Sequence, residues 1–461
     1  MKTIVIGSGG REHAIAWTLA QSPLVSEVVC IPGNGGTATE SKCRNIQIPV
    51  SDIGPVVEAC RAELGGLSDG SFVVVGPEDP LAAGIADRLA DVGLAVVGPR
   101  SAGAMLEASK DTAKRFMQKY GVACAKSETY TDVHEAVAAI GRINGPVVVK
   151  ADGLAAGKGV VVTAEPDEAI RAVRDFMVDR TLGGAGIKVV IEEYLEGEEV
   201  SILAAVSVTP DSAAAGKAAI VPFISARDHK RLRDGAEGPN TGGMGAIAPA
   251  PGVDETILSQ FRTDILEPTL RGLEAEGYDY RGFIFFGVMV TASGPKLLEY
   301  NVRLGDPETQ AVLPLMDFDF ALLCRAIIDG TLADFSVSWK PGFVCAPVAV
   351  SRGYPGSYPK GLPVSIDQAM LDRAGAKILF AGTALNHRAP VSRSGETPLP
   401  AGQLVTSGGR VLASVARGDT VEEARRRAYK AFEGVSFDGM FFRKDIGLPG
   451  AAVAGHLERR R

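Results

Sequence analysis

The stretch LLEYNVRLGDPETQ, from Leu297 to Gln310, carries the most specific chemical pattern in the chain. Its leading leucines are typical of the end of a buried strand. Glu299 and Asn301 follow at alternate positions, and alternate residues of a strand face the same side. A carboxylate and an amide oxygen side by side are ligands suited to Mg²⁺ rather than zinc. Arg303 continues the alternation, so the stretch predicts a metal and a guanidinium that together neutralise a triphosphate.

The same stretch has a second interpretation when it is taken alone. Strand ends often carry carboxylates, and Asp306 followed by Pro307 is typical of a turn. The choice between a metal site and a polar strand end therefore depends on the rest of the chain.

A second informative segment, VVVKADGLAAGKGVVV, lies far upstream at residues 147–162. Two β-branched runs flank a glycine-rich loop, which predicts a β-hairpin with Lys150 at the end of its first strand. Gly157 and Gly159 would let main-chain N–H groups approach phosphate oxygens, and Lys158 would add charge. The GxxxxGK[ST] pattern of a Walker A loop is absent. A mobile turn without a ligand is the alternative interpretation.

Together the two segments resemble the ATP-grasp superfamily, whose members clamp ATP between two subdomains. The segment VVIEEYLEGEEVSIL, residues 189–203, is similar to the connection between the lobes in that superfamily. The resemblance implies that Glu192, Tyr194 and Leu195 lie at the adenine and that Glu199 binds the ribose. Without the resemblance, the same segment would be a strand followed by an acidic surface turn.

A third segment, SKDTAKRFMQKYGV at residues 109–122, is similar to the helix that leads into the ATP-grasp unit. The resemblance implies that Lys110, with Lys150, reaches the α- and β-phosphates of the nucleotide. The alternative is an ordinary helix that Ser109 caps at its N-terminus, with its lysines in solvent.

Glycine-rich turns at the start of the chain suggest a further ligand site. A short apolar strand runs into GSGGREHA at residues 7–14, where Gly9, Gly10 and Arg11 open a helix. Helix N-terminal N–H groups attract anions. The turn is not GxGxxG, because Glu12 stands where the third glycine would be, so it is weak evidence for a dinucleotide site. IPGNGGTA, residues 31–38, is a second turn of this kind.

A long polar loop, ISARDHKRLRDGAEGPNTGGMGAIAP, occupies residues 224–249. Loops of this length inside compact domains are usually functional or disordered. Besides Asp228, the candidates for substrate contact in this loop are Asn240, Thr241, Gly242 and Gly243.

In this order, GSGGREHA, GNGGTA, DHKRL, GPNTGGMGA and NVRLGDPETQ resemble the phosphoribosylamine–glycine ligase family of purine biosynthesis. The resemblance implies that ATP activates the carboxylate of glycine as glycyl phosphate, which the amine of 5-phosphoribosylamine then attacks. Glu299 and Asn301 would hold Mg²⁺ or Mn²⁺, and Arg303 would act on the transferred phosphoryl group. The helix start at Gly9 and the 224–249 loop would bind the phosphoribosyl group, with Asp228 as a candidate for orienting the amine.

The composition is that of a soluble enzyme. No apolar run approaches the ~20 residues of a membrane span, and the net charge of −7 argues against a nucleic-acid surface. The six cysteines show no CxxC pair, which favours reduced thiols in a cytoplasmic protein. We expect a monomer that meets only small-molecule substrates.

The 461 residues are too many for one core and predict about three domains. The expected fold is a multidomain mixture of α/β and α+β structure. An open parallel α/β sheet would occupy 1–105, and an ATP-grasp unit would occupy 106–330 with a mobile lid at about 124–194. A small β-rich domain at 331–435 and a tail at 436–461 would complete the chain.

Two other functions fit parts of the sequence. One is another ATP-grasp enzyme, such as a biotin carboxylase or a formate-dependent purine enzyme. Biotin carboxylases generally carry a second metal-binding glutamate on the preceding strand, where FIFFGVMV at 283–290 offers only apolar residues. The other is an oxidoreductase or non-catalytic nucleotide binder based on GSGG. That function lacks the acidic ribose-binding residue after a second strand and leaves Glu299 unexplained.

Overall fold

The computed structural model describes residues 1–66, 69–155, 158–386 and 402–451. It combines one parallel sheet, one small antiparallel sheet and one large antiparallel sheet with flanking helices. This arrangement confirms the predicted fold class. No helix in the described ranges is long and apolar enough to cross a membrane.

The N-terminal region is an open parallel sheet with helices between its strands. The strands are β1 (Lys2–Gly7), β2 (Glu27–Pro32), β3 (Cys43–Asn45), β4 (Phe72–Val75) and β5 (Val96–Val97). The helices are α1 (Gly10–Gln21), α2 (Ile53–Leu64), α3 (Glu78–Ala82), α4 (Ile85–Asp91) and α5 (Ser101–Ala108). The strand order is β3-β2-β1-β4-β5. The loops that follow β1, β2 and β4 therefore meet at one edge of the sheet, where ligands of such sheets bind.

A small antiparallel sheet follows the helix α6 (Lys110–Tyr120). Its elements are β6 (Ser127–Tyr130), α7 (Val133–Ile140), β7 (Val147–Ala151), β8 (Val160–Thr163), α8 (Pro166–Met177) and β9 (Val189–Glu193). The strand order is β6-β9-β7-β8. Strands β7 and β8 pair antiparallel, which confirms the predicted hairpin. The sheet has a small core of its own, formed with α7 and α8.

The central region contributes the longest strands. Its elements are β10 (Glu198–Val208), α9 (Pro210–Ala214), β11 (Ala219–Asp228), β12 (Arg231–Arg233), β13 (Glu237–Asn240), β14 (Gly245–Ala248), α10 (Glu255–Phe261), α11 (Glu267–Ala275), β15 (Tyr280–Thr291), β16 (Gly294–Asn301), α12 (Glu308–Val312) and α13 (Phe320–Asp329). Strand β15 is almost wholly buried and pairs with both β10 and β16. This pairing fixes β16, which carries the stretch with which the sequence analysis began, beside β15 at one edge of the large sheet.

The C-terminal region extends the central sheet. Its elements are β17 (Phe343–Val350), β18 (Ser365–Ile366), α14 (Gln368–Ala374), β19 (Ala376–Phe380), β20 (Thr383–Leu385), β21 (Leu404–Thr406), β22 (Arg410–Gly418), α15 (Val421–Ala431) and β23 (Val435–Ser436). One eight-stranded sheet runs in the order β16-β15-β10-β11-β14-β17-β22-β19. The pairing of β14 with β17 carries this sheet from the central region into the C-terminal region.

Residues 436–451 are packed onto the molecule, which corrects the predicted tail over that range. The Arg443 side chain is completely buried. It forms an ion pair with Asp445 at 2.7 Å and donates a hydrogen bond to the carbonyl of Arg231 at 3.0 Å. Phe437 and Ile446 are also buried and belong to hydrophobic clusters of the core. The remaining predicted tail residues, 452–461, lie outside the described residues.

We expect Arg443→Met to lower the free energy of unfolding by about 3 kcal/mol, because Asp445 loses its buried partner. Arg352→Met is the matched control, since its ion pair with Asp438 has both side chains 69% exposed. The control should change stability by less than about 0.5 kcal/mol. Urea unfolding of the two variants measures the difference, and equal midpoints would contradict the role assigned to Arg443.

Candidate active site

The candidate site is centred on the end of β16. Glu299 lies opposite Gly287 of β15, and Asn301 lies opposite Phe285, so the two polar residues occupy alternate positions as the sequence predicted. The Asn301 Oδ1 atom accepts a hydrogen bond from Arg303 Nη2 at 3.1 Å. The structure therefore brings the three residues of the predicted metal and phosphoryl site to one place.

Arg303 is held by two carboxylates that the sequence analysis did not assign to the site. Its Nη2 atom lies 3.0 Å from Glu107 Oε1, and its Nε atom donates to Glu78 Oε2 at 3.2 Å. Glu107 also accepts a hydrogen bond from the main-chain N–H of Val302 at 2.7 Å. Burial raises the pKa of Glu107 to about 7, against the opposing effect of Arg303. The two carboxylates fix the direction of the guanidinium.

Glu78 lies at the start of α3 and faces two arginines. Pro77 occupies the cap position of α3, and Glu78 is the first helical residue. Its carboxylate faces Arg303 and, at 3.8 Å, Arg11. The strand–turn–helix pattern of the sequence predicts that Glu78 lies at the edge of the sheet. It does not predict which cation from a distant part of the sequence the carboxylate contacts.

Four cations surround Glu299. Burial alone would raise the pKa of its carboxyl, but Lys230, Lys150, Lys110 and Arg303 together hold that pKa below its ordinary value. The carboxylate is therefore ionised at neutral pH and sits in a strongly positive environment. A polyphosphate placed beside it would meet the same positive charge.

Lys230 is the most important residue that sequence reasoning missed. It contacts Glu199 directly, and Glu199, Glu299 and Asp228 together raise its pKa although burial opposes this. Its only signal in the sequence was its place in the polar loop beside Asp228. Lys230 therefore interacts both with Glu199, which was predicted to bind the ribose, and with Glu299, the predicted metal ligand.

Lys150 is anchored between the small sheet and β16. Its Nζ atom donates to the Leu298 carbonyl at 3.3 Å and lies 3.0 Å from Glu192 Oε1. The other carboxylate oxygen of Glu192 lies 3.2 Å from Lys114 Nζ, and all three charged side chains are buried. Because the Glu192 carboxylate is occupied by two lysines, an adenine contact at this position would come from the main chain.

The other predicted nucleotide residues lie around this anchor. Lys110 Nζ is 3.5 Å from the Gly153 carbonyl, at the base of the hairpin. Tyr194 and Leu195 are partly buried in the connection between β9 and β10, as the resemblance implies. At the hairpin tip, the structure describes two of the predicted residues.

Of those two, Lys158 is exposed and Gly159 is buried. Gly157 lies outside the described residues.

The helix start at α1 faces the turn that follows β16. A side chain on Gly9 would approach Asp306, and one on Gly10 would collide with Gln310. The Gln310 amide donates to Asp306 Oδ1 at 2.7 Å. The helix start therefore faces two internal carboxylates, since the Gly9 N–H also donates to Glu12 Oε2 at 2.5 Å.

Arg11 does not present its side chain to this space. The guanidinium donates to the Leu304 carbonyl at 3.1 Å and pairs with Glu12. Burial would raise the pKa of Asp306, but the charges of Arg410 and Arg11 and a hydrogen bond from the main-chain N–H of Arg11 lower it. Arg11 thus contributes to the site through its charge and its backbone.

The loop at 240–243 reaches the same place from the opposite side. Thr241 Oγ1 donates to the Lys230 carbonyl and accepts from the Gly243 N–H, whereas Asn240 is exposed on β13. The N–H of Gly242 donates to Tyr354 Oη at 2.9 Å. This contact brings in a side chain from the C-terminal region.

Arg410, also from the C-terminal region, joins the two substrate loops. It contacts the Gly242 carbonyl and donates to the Asp306 carbonyl at 2.8 Å. Its Nη2 atom lies 3.2 Å from Asp306 Oδ2. Sequence reasoning missed Arg410, whose only signal was the Gly-Gly turn that precedes it.

Asp228 and Glu308 form a pair of carboxylates beneath these loops. Glu308 is buried and accepts a hydrogen bond from Ser201 Oγ at 2.9 Å. Burial and the repulsion between the two groups raise the pKa of Asp228, and burial raises that of Glu308. A side chain on Gly243 would collide with Asp228, so this glycine leaves room for the carboxylate. Glu308 stood inside the first quoted stretch without an assigned role.

Three family models match consecutive parts of the chain. The Phosphoribosylglycinamide synthetase N domain matches residues 1–107, the ATP-grasp (A) domain matches 108–309, and the C domain matches 344–449. The matches cover nearly all of the described chain.

Named relatives are similar over the same length. The phosphoribosylamine–glycine ligase of Clostridium acetobutylicum is 46% identical over 447 residues, which cover 97% of this chain and 99% of that protein. The one of Ralstonia nicotianae is 45% identical over 454 residues, with 97% and 99% covered. The trifunctional purine biosynthetic protein adenosine-3 of Gallus gallus is 43% identical over 448 residues, which are 97% of this chain and 42% of that protein.

Solved structures agree with these relatives. The crystal structure of phosphoribosylamine–glycine ligase from Thermotoga maritima has a TM-score of 0.78 at 34% identity, covering 97% of this chain and 100% of that one. A biotin carboxylase domain from Hydrogenobacter thermophilus has a TM-score of 0.67 at 16% identity, covering 95% and 91%. At that identity the second similarity shows a shared fold and no more.

We expect Lys230→Met to lower the unfolding temperature more at about pH 7 than at about pH 3, which lies below the ordinary pKa of Glu299. Lys230 is the strongest of the cations that lower the pKa of Glu299. A carboxylate with a lowered pKa contributes stability above its ordinary pKa of 4.5, and that stability is lost as the pH falls. The difference in unfolding temperature between the variant and the unmodified protein should therefore become smaller as the pH is lowered.

Thermal unfolding across this pH range provides the measurement for Lys230→Met. Lys217→Met is the control, because its ion pair with Asp334 is exposed on both sides. A deficit for Lys230→Met that stays constant with pH would contradict the charge cluster.

Proposed function

This chain belongs to the phosphoribosylglycinamide synthetase family, and from that premise we propose that it ligates glycine to 5-phosphoribosylamine with the conversion of ATP to ADP and phosphate. One observation carries the proposal beyond the family name. The ionised Glu299 at the end of β16 is surrounded by four cations, which come from the start of α6, from β7, from the 224–249 loop and from the residues after β16. A carboxylate can be activated and transferred at such a place without a protein nucleophile.

The reaction consists of two transfers. A carboxylate oxygen of glycine attacks the γ-phosphorus of ATP, the bond to the β-phosphate oxygen breaks, and ADP leaves. The amine nitrogen of 5-phosphoribosylamine then attacks the carbonyl carbon of glycyl phosphate. The carbon–oxygen bond to phosphate breaks, phosphate leaves, and the nitrogen loses a proton to give glycinamide ribonucleotide. The protein has to position the reactants, balance their charge and exclude water from the acyl phosphate.

The nucleotide is proposed to lie between the small sheet and β16. Lys110 and Lys150 are suited to the α- and β-phosphates, because both lie beside Glu299 and Lys150 is fixed by Glu192. Arg303, fixed by two carboxylates, would face the transferred phosphoryl group. The adenine would lie at the main chain of 192–195, the ribose at Glu199, and the 157–159 tip would cover the phosphates.

The residues at the end of β16 fit a divalent cation such as Mg²⁺ or Mn²⁺. Glu299 and Asn301 offer two oxygen ligands, and in the described residues no cluster of three acidic, histidine or cysteine side chains provides a complete metal site. Two protein ligands supplemented by phosphate oxygens and water are typical of Mg²⁺ bound with a nucleotide. When bound, the cation supplies positive charge to the phosphate oxygens.

The amine substrate is proposed to lie between the α1 start and the 240–243 loop. Asp306 beside Gly9 and Gly10 is a suitable acceptor for its hydroxyl or amine protons. The phosphate would then lie towards Arg410 and the main-chain N–H groups of the loop. Asp228, with its raised pKa, is suited to orient the amine and accept its proton. A monomeric state, a cytoplasmic location and the absence of nucleic-acid binding stay predictions.

The direct test is the release of ADP from ATP and Mg²⁺ with glycine, with and without freshly generated 5-phosphoribosylamine. We expect ADP and glycinamide ribonucleotide to form in equal amounts only when both substrates are present. ADP formation without product, or with bicarbonate in place of glycine, would contradict the proposed substrates.

We expect Glu299→Gln to reduce turnover at least about 10³-fold, because it removes a metal-binding charge at the transferred phosphoryl group. The fold should persist with reduced stability, since the side chain lies at the end of a strand but compensates part of the charge of four cations. Glu196→Gln, an exposed carboxylate in the connection after β9, is the control. Steady-state assays with circular dichroism compare the two, and near-normal turnover of Glu299→Gln would refute the assignment.

We expect Lys158→Ala to slow the phosphoryl step by roughly tenfold or more with little change in the affinity for glycine, because the lysine covers the γ-phosphate. Lys340→Ala is the control, since Lys340 is also exposed but lies in the C-terminal half. Single-turnover ADP formation gives the rate. An unchanged rate would mean that the hairpin tip is only a turn.

A further inference from the structure

A buried asparagine joins the N-terminal glycine loop to the C-terminal region. The Nδ2 group of Asn34 donates hydrogen bonds to the carbonyl of Ser8 and to that of Phe380, each at 2.9 Å. Ser8 lies in the loop that precedes α1, and Phe380 is the last residue of β19. One amide group therefore spans two regions that are far apart in the sequence.

The orientation of this amide is fixed by its other end. Asn34 Oδ1 accepts the main-chain N–H groups of Gly36 at 2.8 Å and Thr37 at 3.0 Å. If the oxygen and nitrogen of the Asn34 amide changed places, the NH2 group would face the N–H donors of Gly36 and Thr37. The amide oxygen would then face the carbonyl oxygens of Ser8 and Phe380. The bridge between Ser8 and Phe380 thus requires an asparagine in this orientation.

His13 makes a second contact with the same residue of β19. Its Nδ1 atom accepts the N–H of Phe380 at 2.8 Å, and the two rings stack at 5.8 Å. The Nε2 atom lies 3.4 Å from Glu40, which also binds Lys377. Burial lowers the pKa of His13, so the ring stays neutral with its proton on Nε2. Phe380 is therefore held at both its N–H and its carbonyl.

The contact continues from Phe380 to the substrate loops. The next residues pair with β22: the Ala381 N–H donates to Val411 and the Gly382 N–H donates to Arg410, each at 2.8 Å. Arg410 then reaches Asp306 and the 240–243 loop. A short path of main-chain hydrogen bonds thus links the glycine loop on one side of the amine site to the arginine on the other.

We propose that His13 and Asn34 are positioning residues that fix β19 against the glycine loop and thereby place Arg410 over the amine-substrate site. The inference rests on the proposed function for the identity of that substrate. Neither side chain touches the nucleotide residues, so its loss should weaken the use of 5-phosphoribosylamine and leave ATP and glycine unaffected.

The test compares two substitutions of His13 that differ in one hydrogen-bond acceptor. His13→Asn keeps an acceptor at the place of Nδ1, whereas His13→Leu has similar bulk and leaves the Phe380 N–H without a partner. We expect His13→Leu to raise the KM for 5-phosphoribosylamine about tenfold, the effect of one lost buried hydrogen bond. The KM values for ATP and glycine should stay within about twofold, and His13→Asn should restore most of the loss.

Asn34→Asp provides an independent variant. It keeps the acceptor for the Gly36 and Thr37 N–H groups but sets an oxygen against the carbonyls of Ser8 and Phe380. We expect the same selective rise in the KM for the amine, of at least about tenfold. Stabilisation of each variant by ribose 5-phosphate in a thermal-shift assay gives a second readout that does not depend on turnover, and both variants should lose it.

The outcomes separate this inference from the proposed function. If the unmodified enzyme forms no glycinamide ribonucleotide, the proposed function fails, and ribose 5-phosphate binding still tests the positioning. If the unmodified enzyme is active, an unchanged KM for the amine in His13→Leu and Asn34→Asp overturns the inference. An equal loss in His13→Leu and His13→Asn, an equal rise in all three KM values, or failure of both variants to fold would also overturn it, because the contacts would then be structural only.

Discussion

The site depends on one electrostatic constraint, which is that several cations must be kept close together before any phosphate arrives. Glu299 lies among Lys110, Lys150, Lys230 and Arg303 and compensates part of their charge. In a half-buried setting, uncompensated cations of this density would repel one another strongly. The carboxylate at the end of β16 therefore serves the folded state as well as the bound nucleotide, and the surrounding loops are arranged to keep it accessible.

Further acidic side chains also compensate the charge of these cations. Glu192 holds Lys150, while Glu107 and Glu78 hold Arg303. Lys150 and Arg303 therefore each have fixed carboxylate partners within the protein. Because these charged groups are already in position, the protein does not have to rearrange when the phosphoryl group is transferred. Such preorganisation is the most effective form of electrostatic catalysis. The buried pairs contribute orientation more than stability.

The sequence was sufficient for features that depend on local order. Alternation placed Glu299 and Asn301 correctly, and the glycine-rich hairpin around Lys158 follows from its composition. Features formed across long separations were not accessible. Arg410 meets the carbonyl of Gly242 across 168 positions, and no local pattern marks an arginine at the start of a C-terminal strand. The packing of residues 436–451 was missed for the same reason, since the partners of Phe437, Ile446 and Arg443 lie far away in the sequence.

The continuous eight-stranded sheet limits how this protein can be divided. Strand β17 pairs with β14 along Gly245–Ala248, and β17 in turn pairs with β22. A chain cut before β17 would leave β14 as an open edge with unpaired N–H and C=O groups, which invites edge-to-edge aggregation. The C-terminal region is thus not a removable appendage. In a fusion with other enzymes, the joint has to lie beyond this sheet, so that partners are added at the ends of the unit and never inserted at the border between its family-defined domains.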